Sequence, residues 1–397
     1  MWTDWVLPDA VIVAYFALFG AIIGSFLNVC ILRWGAEPKQ SVMHPPSRCP
    51  TCGHAIRWYE NVPVLSWLFL RGKCSQCGTR ISPMYPAIEA TTAVLWGLAA
   101  ARLGFGLPAI ELAVAATLLL GIAVSDARAF IIPHEFSLGG TAIALAFSAW
   151  PDPAGVLGAV QGALFGAGLV LLVGELTELV LGQEAMGGGD CALMGLVGAF
   201  FGWESAWPVL ALGAFISVVL HFISSLRPLP PAEPGTPETQ RQGIRWGKLV
   251  QLVAGGLALV ALMGLAARTG MIGAMLLAVF HAVLGAGAAY YASFLLLSRV
   301  PAGALTQVWG LLGAGFGIAL GTATWPGLVA GLALAGGSLF WASRQTVISS
   351  PATTDELSAH GYLPFGVGLS IAAVVLAYSG GFDWVRELFA EIALGVG

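Results

Sequence analysis

Two pairs of cysteines have the spacing that most directly predicts chemistry in this sequence. They are Cys49-Pro-Thr-Cys52 and Cys74-Ser-Gln-Cys77, each is followed by a glycine, and residues 53–73 separate them. Four thiolates at such a spacing can surround one tetrahedral Zn²⁺ ion. Because four protein ligands leave no open coordination position, we predict a structural zinc site and not a catalytic one.

Two disulfides or four unrelated thiols are the alternative interpretations of these cysteines. The segment around them is rich in lysine and arginine, which predicts that it faces the cytoplasm, a reducing compartment where disulfides rarely persist. This favours zinc. The other two cysteines, Cys30 and Cys191, lie in or beside apolar segments and are interpreted as ordinary apolar residues.

Two aspartates at the ends of apolar segments form the second candidate group. Asp126 ends one segment and precedes Ile132-Pro133, and Asp190 follows three glycines at 187–189 and opens another segment. Acidic residues in or near membrane spans are costly and often functional. Two carboxylates held close together share one proton, so one can deprotonate a water while the other protonates a carbonyl. This is the chemistry of aspartic proteases.

Structural roles for both aspartates are the alternatives. Asp190 could cap the helix that follows it, and Asp126 could pair with Arg128 or cap the next helix. The glycine run does not indicate a phosphate-binding loop, because Cys191 and Ala192 follow where Gly-Lys-Ser/Thr would be needed. Further acidic residues in or near apolar segments are Glu89, Glu111, Glu135, Glu175, Glu178 and Glu184.

The elements that position these residues are predicted to be membrane-spanning helices. The 397 residues are 57% hydrophobic and only 10% charged, against about 25% charged in soluble domains. Residues 10–32, 269–298 and 300–343 carry no charge, and about 20 apolar residues cross a bilayer as a helix. The composition excludes a soluble enzyme, a nucleic-acid-binding protein and a disordered chain, and continuous apolar runs argue against a transmembrane barrel.

The predicted fold class is therefore all-α, a polytopic membrane helical bundle of about twelve spans with a small cytoplasmic zinc-binding loop domain. The predicted spans are 10–32, 87–103, 109–125, 133–150, 156–181, 191–206, 208–226, 249–267, 270–297, 302–321, 326–343 and 362–380. The predicted parts are a first span (1–32), the zinc-binding loop (33–86), a peptidase core (87–226), a Pro-rich linker (227–248), an inserted four-span block (249–360), a last core span (361–380) and a C-terminal tail (381–397).

The distribution of lysine and arginine predicts the orientation of these spans. If the loop at 33–86 is cytoplasmic, alternation of the spans places fourteen of the 17 Lys and Arg residues inside. Only Arg102, Arg268 and Arg386 then lie outside. The positive-inside rule thus predicts that both termini are outside and that Asp126 and Asp190 lie at the cytoplasmic face.

A series of motifs, in order, resembles the type IV prepilin peptidases, which are membrane aspartic proteases of the Gly-x-Gly-Asp type. The matching stretches are Gly24-Ser-Phe-Leu-Asn28 to Arg33, the two cysteine pairs, Glu60 to Gly72, Ile81 to Glu89, Asp126 with Ile132-Pro133, Met186 to Asp190 with Gly195, Gly198, Ala199 and Gly202, and Leu363-Pro-Phe-Gly366. The resemblance covers roughly residues 10–226 and 361–380.

The resemblance implies a protease of the bacterial inner membrane with Asp126 and Asp190 as its catalytic pair. It implies cleavage, at the cytoplasmic face, of the leader of type IV prepilins or type II secretion pseudopilins. It also implies N-methylation of the new N-terminus with S-adenosylmethionine as donor, although no donor-binding glycine motif marks residues for this cofactor. Asn28 and Glu89 are expected either to orient the site or to hydrogen-bond between helices. The implied partners are the substrates and the lipid bilayer; no nucleic acid is expected, and the oligomeric state is left open.

Three departures from the family pattern are visible. His134 stands where the family usually has Asp or Asn, and Ala192 stands where it usually has Lys. Residues 227–360 interrupt the pattern with the linker and the four additional spans. A multispan transporter and an inactive scaffold for pilus or secretion-system assembly are therefore the alternative functions. Against a transporter, residues 249–343 contain only two charged residues, Arg268 and Arg299, and no acidic partner for them.

Overall fold

A computed structural model describes residues 9–36, 39–150, 153, 155–181, 186–225, 279–288 and 365–394. Within these ranges the protein is built from helices and turns, and it contains no strand beyond two isolated bridges between single residues. The predicted all-α class is confirmed for them. Among the described residues, four helices are long and apolar enough to cross a membrane, and a fifth span is formed if the bent helix pair at 365–387 crosses as one. The predicted spans 249–267, 302–321 and 326–343 lie outside the described residues.

Eleven α-helices occur within the described ranges. They are α1 (Asp9–Trp34), α2 (Leu65–Phe69), α3 (Met84–Leu103), α4 (Leu107–Ala129), α5 (His134–Ser148), α6 (Gly155–Leu181), α7 (Gly188–Phe201), α8 (Ala206–Ser225), α9 (Val279–Ala288), α10 (Phe365–Ser379) and α11 (Gly381–Leu394). Nine of them fall on predicted spans. The two that do not are α2, inside the loop, and α11, in the segment predicted as a tail.

The chain divides into two compact units. The first comprises Met1–Ala159, Trp207–Ser217 and Leu363–Gly397, and the second comprises Val160–Ala206 and Val218–Tyr362. Asp126 and the cysteine pairs therefore belong to the first unit, whereas Asp190 belongs to the second.

Glycines allow α1 and α3 of the first unit to pack closely. A Cβ atom on Gly20 would lie 2.6 Å from the Cβ of Trp96, and one on Gly24 would lie 2.8 Å from the Cα of Glu89. Small residues spaced four apart are a common means of bringing membrane helices together. Just beyond Gly24, the Asn28 side-chain amide donates hydrogen bonds to the carbonyls of Gly24 and Tyr85, both at 3.2 Å.

Polar side chains tie further helices of the first unit together. The indole N–H of Trp96 on α3 donates to the Thr117 hydroxyl on α4 at 2.9 Å. The Tyr378 hydroxyl on α10 donates to the carbonyl of Leu95 on α3 at 2.8 Å. Since lipid offers no hydrogen-bonding partners, such bonds between helices satisfy polar groups that would otherwise be costly in the membrane.

In the second unit, α6 packs against α7 and α9 through glycines. A Cβ atom on Gly162 would overlap the carbonyl oxygen of Gly198, and one on Gly168 would overlap that of Val283. Beside this contact, the rings of Phe165, Trp203 and Phe280 form a cluster with centroid separations of 5.2–5.4 Å. The helix that begins with the glycines before Asp190 is thus fixed along its length by close backbone packing.

Candidate active site and metal centre

The four paired cysteines meet in a single cluster, as their spacing predicted. Their sulfur atoms all lie within 4.8 Å of one another, with Cys49 Sγ 3.8 Å from Cys77 Sγ and Cys52 Sγ 4.0 Å from Cys74 Sγ. A zinc ion with bonds of about 2.3 Å to four tetrahedral sulfurs requires sulfur separations of about 3.8 Å. The cluster therefore has the ligand set and the dimensions for one metal ion, and all six cysteines of the chain are free thiols.

Each cysteine pair sits in the same kind of backbone turn. In the first, the N–H of Gly53 donates to the carbonyl of Cys49, and in the second the N–H of Gly78 donates to that of Cys74, at 2.9 and 3.0 Å. Both glycines have φ of +71°, a conformation that glycine adopts without steric cost. The glycine that follows each pair is thus required by the turn that points the two sulfurs at the same place.

The thiols of the cluster carry conflicting protonation preferences. The Thr79 hydroxyl, 3.3 Å from Cys77 Sγ, is the main cause that lowers the pKa of this thiol to about 6. The hydrogen bond from the His54 backbone lowers the pKa of Cys52, but desolvation and the adjoining sulfurs together outweigh it and raise this pKa to about 11. A bound dication would remove this conflict, since it stabilises every ligand as the thiolate.

Glu60 braces the two turns against each other. Its carboxylate accepts hydrogen bonds from the Ser75 hydroxyl at 2.6 Å, from the Arg57 N–H at 2.9 Å, and from the His54 ring at 3.0 Å. His54 lies in the first turn and Ser75 in the second. These bonds, that of Ser75 foremost, lower the pKa of Glu60 to about 2. The spacing of the cysteines gave no indication of this role, although Glu60 lies in a stretch that matches the family motif.

Replacing Glu60 with Gln should lower the thermal unfolding temperature of the loop by a few degrees at pH 7, because one acceptor becomes a donor facing other donors. The folded-state pKa is depressed, so the stabilisation is complete above the unfolded-state pKa of about 4.3 and is lost as pH falls toward about 2. The difference between wild type and Glu60→Gln should therefore stay constant from pH 7 to about pH 5 and shrink below about pH 4.3. Unfolding curves at several pH values measure it. A difference that widens on acidification would contradict this role.

Asp126 lies at the end of α4 and is only 5% exposed. Its carboxylate Oδ2 accepts a hydrogen bond from the backbone N–H of Val367 at 3.0 Å. Val367 is in the first turn of α10, where N–H groups lack partners within the helix and the helix dipole favours negative charge. This N–H donor was not identified from the sequence; its only signal was the motif Leu363-Pro-Phe-Gly366 immediately before it.

The structure distinguishes between the alternative roles of Asp126. Arg128 Nη1 lies 2.7 Å from the sulfur of Met84, and no ion pair between Asp126 and Arg128 occurs among the described residues. The helix that follows, α5, begins after Pro133 without a side-chain cap. Neither alternative for Asp126 is therefore correct, and its observed partner is the N-terminus of α10.

Gly366 packs directly against the Asp126 carboxylate, with no room for a side chain at position 366. A Cβ atom at position 366 would lie 2.9 Å from Asp126 Oδ2 and 2.8 Å from Ile132 Cδ1. The Gly366 and Ile132-Pro133 motifs, which are far apart in the sequence, therefore meet around the same carboxylate. We expect position 366 to require glycine because a side chain there would displace the Asp126 carboxylate. The backbone torsion angles of Gly366 do not impose this requirement.

Gly366→Ala should reduce activity on the protein's substrate by about 10- to 100-fold, because a displacement of a reacting group by about 1 Å can cost about 100-fold. The protein should still fold, since alanine is favourable within helices. Gly139→Ala on α5 is the matched control, because a Cβ there meets nothing within 4 Å. Measured initial rates of the two variants test this. Equal rates would show that the Gly366 contact does not set the position of Asp126.

Asp190 is the third residue of α7 and 9% exposed. Its Oδ2 accepts a hydrogen bond from the backbone N–H of Gly187 at 3.2 Å, so it does contribute to the cap of its own helix. The predicted capping role is thus observed, and it also fixes the orientation of the carboxylate. Asp126 and Asp190 are each buried and each bound by a backbone N–H at the N-terminus of a helix.

The remaining acidic candidates have varied surroundings. Glu135 pairs with Lys39 at 2.7 Å, and Glu89 accepts the backbone N–H of Val64 at 2.7 Å. Glu175 is buried, and neither of its oxygens has a hydrogen-bond partner among the described residues. Glu111 is partly buried on α4, Glu178 lies on α6, and Glu184 lies outside the described residues.

The two departures from the family pattern occupy different environments. His134 is exposed at the first position of α5. Ala192 is fully buried on α7, two residues after Asp190. The lysine usual at position 192 would place a cation in the buried part of this helix, and the present chain has none there.

These features define a multi-pass helical membrane protein with a loop whose four clustered cysteines could hold a metal ion, and with two buried aspartates at helix ends. Comparison with known families gives the particular class. Residues 18–103 match the bacterial peptidase A24 N-terminal domain, and residues 113–223 match the type IV leader peptidase family. The chain belongs to the type IV leader peptidase family, as the motifs predicted. Both aspartates lie within the second match.

Three relatives that share one name support the family assignment. The chain is 37% identical over 221 residues to the prepilin leader peptidase/N-methyltransferase of Myxococcus xanthus. This match covers 53% of the present chain and 64% of the relative. The chain is 35% identical over 244 residues to the protein of that name from Pseudomonas putida, and 36% identical over 241 residues to the one from Pseudomonas aeruginosa. Each of these two matches covers 55% of this chain and 82% of the relative. No solved structure matches the chain.

Proposed function

We propose that this protein removes the leader of type IV prepilins or type II secretion pseudopilins at the cytoplasmic face of the bacterial inner membrane, and then N-methylates the new N-terminus. The observation that carries the proposal is the family match over residues 113–223. It contains two aspartates that are each buried and each oriented by a backbone N–H.

In this proposal Asp126 and Asp190 share the acid–base work of peptide hydrolysis. One carboxylate removes a proton from a water molecule, which adds to the scissile carbonyl carbon, while the other, protonated, donates a hydrogen bond to the carbonyl oxygen. Collapse of the tetrahedral adduct breaks the C–N bond, and the departing amine takes a proton from the pair. No covalent enzyme intermediate is formed. The roles of acid and base belong to the pair, which titrates as one unit.

The backbone contacts of the two aspartates support this role. The N–H of Val367 fixes the orientation of the Asp126 carboxylate, and the N–H of Gly187 does the same for that of Asp190. The glycines at 187–189 lack side chains, so they allow an extended peptide to approach Asp190 closely.

The cysteine loop, residues 33–86, is proposed to hold one structural Zn²⁺ through Cys49, Cys52, Cys74 and Cys77. The ion would supply folding energy to a segment with little regular structure of its own. We further propose the twelve-span arrangement with this loop and the Pro-rich linker (227–248) in the cytoplasm, and with residues 249–360 as an inserted block, for which no role is assigned. S-adenosylmethionine would supply the methyl group for the second activity.

One assay tests both proposed activities. Purified full-length protein is incubated with a prepilin, and the mass of the substrate is followed with and without S-adenosylmethionine. We expect the mass to fall by the leader in both cases, and to rise by one methyl group only with the donor. An unchanged substrate mass would overturn the peptidase and leave the transporter or the inactive scaffold. Cleavage without methyl addition would overturn the methyltransferase alone.

A further inference from the structure

A cavity of about 560 Å³ lies between the cysteine loop and the adjoining ends of α1 and α3. Its volume is within the range of about 300–1,000 Å³ that is usual for pockets of cofactor-sized ligands. Every lining residue belongs to the first unit. The peptidase chemistry proposed above uses none of the residues that line it.

Two residues that line this cavity, Asn28 and Glu89, each carry an unused hydrogen-bond acceptor. Asn28 is only 2% exposed, and its Oδ1 atom has no hydrogen-bond partner in the described part of the chain. The orientation of the amide is fixed, because its Nδ2 donates to both Gly24 and Tyr85. Glu89, also buried, uses Oε2 to accept the Val64 N–H, while its Oε1 has no bond to any described residue. The free oxygen of the Glu89 carboxylate therefore indicates a ligand that donates hydrogen bonds or carries positive charge.

Cationic and aromatic groups complete the lining. Arg48 and Arg80 are exposed at the cavity, and neither guanidinium group forms an ion pair or side-chain hydrogen bond among the described residues. They can bind a carboxylate. The rings of Trp67 and Tyr85 also line the cavity, and they offer flat surfaces of the kind on which a nucleobase stacks.

We propose that this cavity binds S-adenosylmethionine as the methyl donor of the N-methyltransferase activity. This inference rests on the proposed function. The molecule combines the groups that the cavity can bind: an ammonium, a sulfonium and an adenine amino group for the acceptors, a carboxylate for the arginines, and an adenine ring for the aromatic side chains. No glycine-rich motif is needed, because the recognition groups come from two helices and the cysteine loop.

The reaction at this site would be a direct methyl transfer. The neutral amine of the new N-terminus would attack the methyl carbon, and the carbon–sulfur bond would break with its electron pair remaining on sulfur. The methylated ammonium would then release one proton to solvent water. The products are the N-methylated chain and S-adenosylhomocysteine. No oxidant or metal redox step is required.

Equilibrium dialysis of full-length protein in lipid nanodiscs with radiolabelled S-adenosylmethionine tests the site without any turnover. One equivalent should bind, and S-adenosylhomocysteine should displace it. Glu89→Gln should weaken binding by about tenfold or more, because it replaces a charge-assisted acceptor by a neutral amide. Zinc content and the unfolding temperature report whether this variant is folded. Absence of binding to the wild-type protein would overturn the proposal.

The exposed arginines provide a second test that does not depend on a buried substitution. The double variant Arg48→Gln/Arg80→Gln should bind the donor at least about tenfold more weakly, since both charge-assisted bonds to the carboxylate would be lost. Lys73→Gln is the matched control, because Lys73 lies beside Arg80 in the same loop, is exposed, and does not line the cavity. Equal affinity of the double variant and wild type would contradict the site.

Two further measurements separate this inference from the peptidase assignment. Cleavage of a prepilin by the same wild-type preparation, without the donor, tests the peptidase independently. A synthetic leader peptide should not displace the radiolabelled donor. If the peptide does displace the donor, the cavity binds the leader and the proposal of a donor site is wrong. If cleavage fails while the donor binds normally, the proposed peptidase function is overturned and the donor site still stands.

Discussion

Asp126→Asn and Asp190→Asn should each abolish prepilin cleavage while the protein still accumulates in the membrane. An amide oxygen can still accept the N–H of Val367 or of Gly187, so the observed backbone contacts survive either substitution. An amide, however, can neither take a proton from water nor deliver one at neutral pH. We expect a loss of at least about 100-fold, since a single general acid or base contributes about 10²–10⁴-fold.

The matched control is Asp383→Asn. Asp383 is an exposed carboxylate that pairs with Arg102 at 3.2 Å, and such surface pairs contribute little stability. Its cleavage rate should equal that of wild type. Because the two catalytic aspartates act as one unit, the double variant Asp126→Asn/Asp190→Asn should be hardly worse than either single variant. Retained cleavage in one of the single variants would exclude a shared acid–base role.

Serine at any one of Cys49, Cys52, Cys74 and Cys77 should remove zinc from the purified protein and unfold the cysteine loop. Structural zinc contributes about 10–16 kcal/mol of apparent binding free energy in small domains at pH 7, so this is the largest stability effect that we expect. Metal analysis should give one zinc per wild-type chain and well under half of that in each variant. Loss of cleavage would follow from loss of the folded loop.

Cys30→Ser is the control for a general effect of losing a thiol. Cys30 is buried on α1 and lies outside the cluster, so this variant should keep its zinc. If purified wild-type protein contains no zinc, the four thiols serve another purpose. The same conclusion follows if a variant of one cluster cysteine retains one zinc per chain. Chelation of the wild-type protein should reproduce the unfolding of the loop without any substitution.

Much of the fold was predictable because a membrane restricts the choice of secondary structure. Uncharged runs of about 20 residues favour helices, because a helix satisfies all of its own backbone hydrogen bonds in lipid. The helices α1, α3, α5, α6, α8 and α10 therefore begin and end within a few residues of predicted spans. The prediction of twelve spans is not confirmed by the described residues, in which four or five helices are long and apolar enough to cross a membrane. The cysteine cluster was predictable for a similar reason, since two Cys-x-x-Cys pairs with glycine turns determine where four sulfurs point. The helix α11 was not predicted, because its sequence is less apolar than a span.

The surroundings of the candidate site were less predictable, because they depend on contacts between distant parts of the chain. Nothing in the sequence near Asp126 indicates that its partner is the N–H of Val367. The pattern of apolar residues along a helix cannot reveal a backbone donor from a distant helix. The same holds for Glu60, whose partners lie in both cysteine turns. The unpartnered Oδ1 of Asn28 was also unpredictable, because whether a buried amide is satisfied depends on the packing of α1 against α3 and the cysteine loop.

The bond between Asp126 and Val367 joins residues 241 positions apart, and this has a consequence for biosynthesis. A ribosome adds about 5–20 residues each second, so α10 emerges roughly 10–50 s after Asp126 does. During most of that interval the nascent chain contains the complete cysteine loop and both aspartates, but it lacks the helix that orients Asp126. The protein should therefore be inactive on any substrate while it is still being translated and inserted. Proteolytic competence then marks the end of its own assembly.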